Sequence, residues 1–142
     1  MIVADTGGIL ALLDRKDRHH LTVRELHRTR GDEWLLPWAI VPEVEYLATK
    51  YLGARVAEAF LADLRDGCFR VDAQVPQDLP RALEIVRRHA ALGLSLVDAV
   101  VMAQAERNKA SVIVTTDGRH FRAVRLKLEP MPRLVPLDPE PG

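Results

Sequence analysis

Met1-Ile2-Val3-Ala4-Asp5-Thr6-Gly7-Gly8-Ile9-Leu10-Ala11-Leu12-Leu13-Asp14 is the stretch that decides how this chain folds. Ile2, Val3 and Ala4 form a short apolar run of the kind found in a strand covered on both faces. Gly7-Gly8 break the run, and Ile9, Leu10, Leu12 and Leu13 then resume at helical spacing. Asp5 is therefore expected at the carboxyl end of a buried strand, the edge at which open α/β sheets bind their ligands. Asp and Thr are also favoured helix N-caps, so Asp5 or Thr6 has a purely structural use at the same place. Read alone, the stretch weighs the two uses about equally.

Working outward, Val112-Ile113-Val114-Thr115 repeats the pattern of a buried strand, and Thr116-Asp117-Gly118 ends it. Trp34-Leu35-Leu36-Pro37 and Phe69-Arg70-Val71-Asp72 read as further strands, with Asp72 as a turn former ahead of a loop holding Pro76. Leu134-Val135-Pro136-Leu137 adds an edge strand, where a proline is tolerated. Between them lie a mostly exposed helix over 21–30 and a helix with Pro42 in its first turn that runs to Leu52 and ends at Gly53. Amphipathic helices follow over 54–65, stopped by Gly67, and over 79–91, stopped by Gly93. Ser95-Leu96-Val97-Asp98 is a serine-x-x-acid helix start, and it opens a largely apolar helix over 99–108. Strands alternating with helices predict a three-layer α/β/α sandwich around a central parallel sheet. One domain is expected over 1–137, with Asp138-Pro139-Glu140-Pro141-Gly142 as a disordered tail.

Composition narrows the function. The 142 residues carry 20 Lys and Arg against 20 Asp and Glu, so the whole-protein basic footprint of a nucleic-acid binder is missing and any polyanion must be held locally. The single cysteine, Cys68, excludes an internal disulfide framework and a thiolate zinc site, which suits a reducing cytoplasm. No apolar run approaches the ~20 residues that cross a bilayer, and the N-terminus lacks the basic-then-apolar build of a signal peptide. A cytoplasmic protein with no membrane partner is expected.

The chemistry lies in scattered acids. Asp5 and Asp117 fall at strand ends, Asp98 in the first turn of a helix, and either Glu43 or Glu45 in the first turn of another. Glu43 and Glu45 stand about 200° apart around the axis, so they cannot both face one site, and both flank the apolar stripe. Four carboxylates packed together repel and raise each other's pKa unless cations neutralise them. Hard, oxygen-seeking Mg²⁺ or Mn²⁺ suits such a set, and the lack of clustered cysteine or histidine disfavours zinc. Such a site fits phosphodiester hydrolysis, because the metal lowers the pKa of a bound water and offsets transition-state charge.

The stretches Ile2-Val3-Ala4-Asp5-Thr6, Pro42-Glu43-Val44-Glu45-Tyr46-Leu47, Leu94-Ser95-Leu96-Val97-Asp98-Ala99 and Val114-Thr115-Thr116-Asp117-Gly118-Arg119-His120-Phe121 resemble the motifs of the PIN-domain family, in particular its VapC-type ribonuclease toxins. The resemblance spans nearly the whole chain in order. It implies strand order 3-2-1-4-5 and a metal-dependent endoribonuclease that acts on RNA. It also implies homodimers silenced by a small antitoxin. By the same resemblance Asp5, Glu43, Asp98 and Asp117 are the catalytic, metal-holding acids. Thr6 and Thr115 take the hydroxyl positions beside substrate, and Arg119, His120 and Arg122 hold the RNA backbone or are solvated loop charge. Pro42 departs from the small or aliphatic residue usual before the glutamate. Three other readings compete. The Asp5-Thr6-Gly7 triplet matches aspartic proteases, but their fold is nearly all β. Phosphoryl transfer through a strand-end Asp needs a second Asp where Gly7 stands. A PIN-like scaffold could also act without catalysis, as a binding module working through a protein partner.

Overall fold

The computed structural model describes residues 1–141, leaving aside the side chain of Val75. Five strands form one sheet: β1 (Ile2–Ala4), β2 (Trp34–Pro37), β3 (Arg70–Asp72), β4 (Val112–Val114) and β5 (Arg133–Val135). Their order is β3-β2-β1-β4-β5 and every pairing is parallel, as the motif resemblance implied. Ile2 pairs with both Trp34 and Val112, which puts β1 at the centre. Ile2, Val3 and Ala4 have no exposed surface, so the apolar run is indeed covered on both faces.

Among the described residues seven α-helices flank the sheet: α1 (Thr6–Leu13), α2 (His20–Arg30), α3 (Ile40–Leu52), α4 (Ala54–Arg65), α5 (Val75–Arg88), α6 (Leu96–Arg107) and α7 (Gly118–Ala123). The layered α/β/α sandwich follows from parallel strands, whose crossovers carry helices back over the sheet. Chain order leaves β1 toward β2 and β3 on one side and returns to β4 and β5 on the other. The direction reverses between β1 and β4, which makes that seam the switch point where a crevice opens at the strands' carboxyl ends.

Three local departures from the sequence expectation have clear causes. Gly7 and Gly8 lie inside α1, which starts directly after Asp5. Their role is close approach, because a Cβ on Gly8 would lie 2.3 Å from the Val114 carbonyl oxygen and one on Gly7 2.5 Å from the Thr116 hydroxyl. Helix α5 begins at Val75 and takes in Pro76, since a proline in the first turn gives up an N–H that has no helical partner anyway. Helix α7 replaces the expected loop after Asp117, whose carboxylate accepts from the His120 N–H at 3.1 Å and nucleates the turn.

The expected tail begins with an anchored residue. Asp138 accepts from the Leu134 N–H at 2.7 Å and pairs with Arg122 at 2.8 Å. Gly142, the last residue of that tail, lies outside the described residues. No helix of the described residues is long and apolar enough to cross a membrane.

Candidate metal centre

Asp5 sits in the N-cap position of α1, where one carboxylate oxygen accepts from the Gly8 N–H at 2.7 Å. The other oxygen accepts from the Thr115 hydroxyl, 110 positions along the chain. The cap thus uses one oxygen, and Thr115 holds the other at the seam of β1 and β4. Thr115 is fully buried, and its hydroxyl also accepts from the Asp117 N–H at 2.9 Å. It was expected beside substrate; with both bonds made, it instead ties Asp5 to the strand end that carries Asp117.

The other acids arrive on helices. Ser95 caps α6 by accepting from the Asp98 N–H at 3.1 Å, which sets Asp98 on the first turn. Behind it Ala99, Val100, Val101, Met102, Ala103 and Ala105 are buried and pin α6 against β1 and β2. Asp117 caps α7 with one oxygen, and its second lies 2.7 Å from His120 Nδ1. The same nitrogen is 3.5 Å from an Asp98 oxygen. Donor atoms of Asp98, Asp117 and His120 all lie within 4.8 Å of one another.

The electrostatics are those of an under-neutralised site. The Asp5 carboxyl is raised to about 7, by burial first and also by the charges of Asp98 and Asp117, against the pull of the bonds from Thr115 and Gly8. Asp98 is also raised, by burial first and by Asp117, against the pull of its Ser95 bond and of His120. No Lys or Arg pairs with Asp5, Asp98 or Asp117 among the described residues. The hydroxyl of buried Thr6 has no hydrogen-bond partner among them either. Raised carboxyls, an orphaned hydroxyl and no fixed arginine or lysine fit a divalent cation, for which oxygen donors are the suited ligands.

The remaining sequence candidates are placed differently. Glu43 is half-buried on the first turn of α3 and makes no hydrogen bond or ion pair among the described residues, and its charge is not among those acting on Asp5. Glu45 accepts from the Thr49 hydroxyl at 3.2 Å along its own helix. Arg119 is exposed, while Arg122 is engaged by Asp138. His120 was expected on the RNA backbone; it lies inside the acid group. The signal for this was the Asp117-x-x-His120 spacing, which a helix turns into neighbours once Gly118 is read as a helical residue.

Fold and site together define an α/β sandwich with an acid-lined switch point. The chain belongs to the PIN domain family, whose pattern matches residues 2–126. It is 27% identical over 124 residues to the ribonuclease VapC26 of Mycobacterium tuberculosis, covering 87% of this chain and 92% of that relative. Among solved structures it is similar to VapC20 of Mycobacterium tuberculosis, a toxin described as cleaving the sarcin-ricin loop, at a TM-score of 0.77 and 23% identity over 90% of this chain and 98% of that one. It is also similar to a chain of the DNA-bound VapBC of Salmonella typhimurium, at a TM-score of 0.66 and 20% identity over 94% of this chain and 95% of that one.

Proposed function

We propose that this chain is a Mg²⁺- or Mn²⁺-dependent endoribonuclease, the toxin of a toxin–antitoxin pair. The observation that carries the reading is the closeness of Asp98 and Asp117, whose charges also act on the buried Asp5, with no arginine or lysine paired to any of the three among the described residues. When bound, a divalent cation supplies a water of lowered pKa and offsets the charge of a phosphodiester. Asp5, Asp98 and Asp117 would hold it, with Glu43 as a fourth acid reaching from α3.

The chain's own residues then divide the work. Thr115 and the Gly8 N–H fix both oxygens of Asp5, so the carboxylate is oriented before any ligand arrives. Arg119, exposed two residues past Asp117, would meet an RNA phosphate as a local cation on a chain with no net charge. Arg122 would do so only by exchanging Asp138 for phosphate, and Thr6 offers a buried hydroxyl with no partner among the described residues.

A small antitoxin partner and a homodimer belong to the same reading. Exposed Tyr46, Tyr51 and Leu61 on α3 and α4 leave apolar surface for such contacts, and the relatives solved as VapBC complexes support a protein partner. An RNA substrate and the unpaired Cys68 support a cytoplasmic setting. The direct test is Asp98→Asn, which is expected to abolish RNA cleavage and growth arrest while the protein stays folded. Retention of both activities in the folded variant would overturn the reading.

A further inference from the structure

His120 is the one nitrogen donor in an otherwise all-oxygen group. Its Nδ1 lies 2.7 Å from Asp117 and 3.5 Å from Asp98, and the imidazole is 19% exposed. Despite that proximity Nδ1 makes no hydrogen bond of proper direction among the described residues. It is a ring nitrogen shut off from solvent and set among carboxylates, with no bond using its in-plane direction.

Direction rather than distance separates a shared ligand from a salt bridge here, since Nδ1 lies at salt-bridge range of Asp117 yet makes no hydrogen bond among the described residues. Around an octahedral cation with bonds of about 2.1 Å, neighbouring donors lie ~3.0 Å apart and opposite ones ~4.2 Å apart. The donor atoms of Asp98, Asp117 and His120, all within 4.8 Å of each other, match that span after shifts of a few tenths of an ångström. The site also has an independent mark of a missing partner in the buried, orphaned hydroxyl of Thr6, next to Asp5 in the chain.

We infer that His120 ligates the cation through Nδ1 together with Asp98 and Asp117, and that it tilts the site from Mg²⁺ toward first-row transition cations. This rests on the proposed cation-dependent reading and adds to it a ligand and a selectivity. The reason is ligand chemistry: Mg²⁺ takes oxygen and water, whereas imidazole suits the later transition ions, whose affinities rise from Mn²⁺ to Co²⁺. A merely structural role for His120 predicts instead an equal effect on all three cations, because nothing in it distinguishes a nitrogen-seeking ion from an oxygen-seeking one.

The test is calorimetric titration of Mg²⁺, Mn²⁺ and Co²⁺ into the full chain, its His120→Ala and His120→Gln variants, and Asp98→Asn. Loss of the imidazole is expected to weaken Co²⁺ by about tenfold or more, Mn²⁺ by less and Mg²⁺ by under about twofold. Asp98→Asn is expected to weaken all three. In the wild type, bound Mn²⁺ is expected to show ¹⁴N modulation in its electron spin-echo envelope, and both His120 variants lose it. The glutamine variant covers the case in which alanine leaves the protein unfolded. Equal effects on all three cations, tighter binding, or no ¹⁴N signal in the wild type would overturn the nitrogen ligand while leaving the nuclease reading intact. Failure of the wild type to bind any of the three would overturn both.

Discussion

At the end of β3, Asp72 and Asp78 share the guanidinium of Arg107 at 2.6 and 2.7 Å, and Asn108 adds a bond to Asp72 at 3.2 Å. At the ends of β1 and β4, Asp117 gathers with Asp98 and His120, and the buried Asp5 feels the charges of both acids, with no arginine or lysine paired to any of them among the described residues. Both groups stand at carboxyl ends of parallel strands, and both contain nearly inaccessible carboxylates. Burial pulls Asp72 up, but the Gln74 N–H, Arg107 and Asn108 outweigh it and hold the carboxyl below its ordinary value. Asp5 goes the other way, to about 7. A carboxylate at a strand end is thus structural where the fold supplies its cation and available for a ligand where it does not. Asp72 also accepts from the Gln74 N–H at 2.9 Å, so its reading as a turn former holds alongside the ion pair.

The largest expected difference between the two groups is in chemistry. Asp5→Asn and Asp98→Asn should each cut RNA cleavage by about 10²–10³-fold or more, as loss of a group that stabilises transition-state charge does. Asp72→Asn should leave the rate per folded molecule within about threefold. Similar losses in all three variants, measured on one RNA at fixed Mn²⁺, would erase the distinction.

Stability should show the reverse ranking. Arg107→Ala strands two buried carboxylates and should cost about 2–4 kcal/mol in urea unfolding, somewhat under the ~3–5 kcal/mol of a fully buried pair because the guanidinium is 27% exposed. An effect under about 1 kcal/mol would mean that the β3 group is not what holds α5 and α6 together there.

The pH dependences should also run in opposite directions. The raised Asp5 carboxyl favours its neutral form in the fold, so without metal its penalty is absent below pH ~4, grows between about 4 and 7, and is constant above. Asp5→Asn should therefore raise the melting temperature of the metal-free protein at pH 8, and saturating Mn²⁺ should raise that of the wild type by mass action on the folded state. The lowered Asp72 carboxyl contributes stability that is complete above pH ~4 and lost as pH falls through its folded value. Asp72→Asn should flatten that acid limb of the melting profile. The smallest expected effect is that of Arg119→Ala, which removes one phosphate contact. It should lower RNA affinity a few-fold and the salt slope by ~0.7, read from binding at several salt concentrations.

How much of this could be read from the sequence follows from which forces are local. Ile2–Ala4, Trp34–Pro37 and Val112–Val114 are apolar on both faces, and their strands stand where those runs stand. Asp5, Asp98 and Asp117 were legible because each closes a strand or opens a helix, which fixes its place without tertiary detail. His120 was not, since its position depends on α6 and α7 meeting, and α7 itself was hidden by Gly118. The Arg107 clamp joins residues 29 and 35 positions apart, and no spacing rule anticipates it. Glu43 remains the acid whose part rests on the motif resemblance, because no hydrogen bond or ion pair among the described residues ties it to the other three.

The central claim is that Asp5, Asp98 and Asp117 surround one divalent cation. Crystals soaked in Mn²⁺ and measured for its anomalous scattering test it most directly. The account predicts a peak between β1 and β4, about 2.2 Å from oxygens of those three residues and within reach of His120 Nδ1. A clean map at that seam, or a manganese peak bound elsewhere while the three acids stay unliganded, would contradict it.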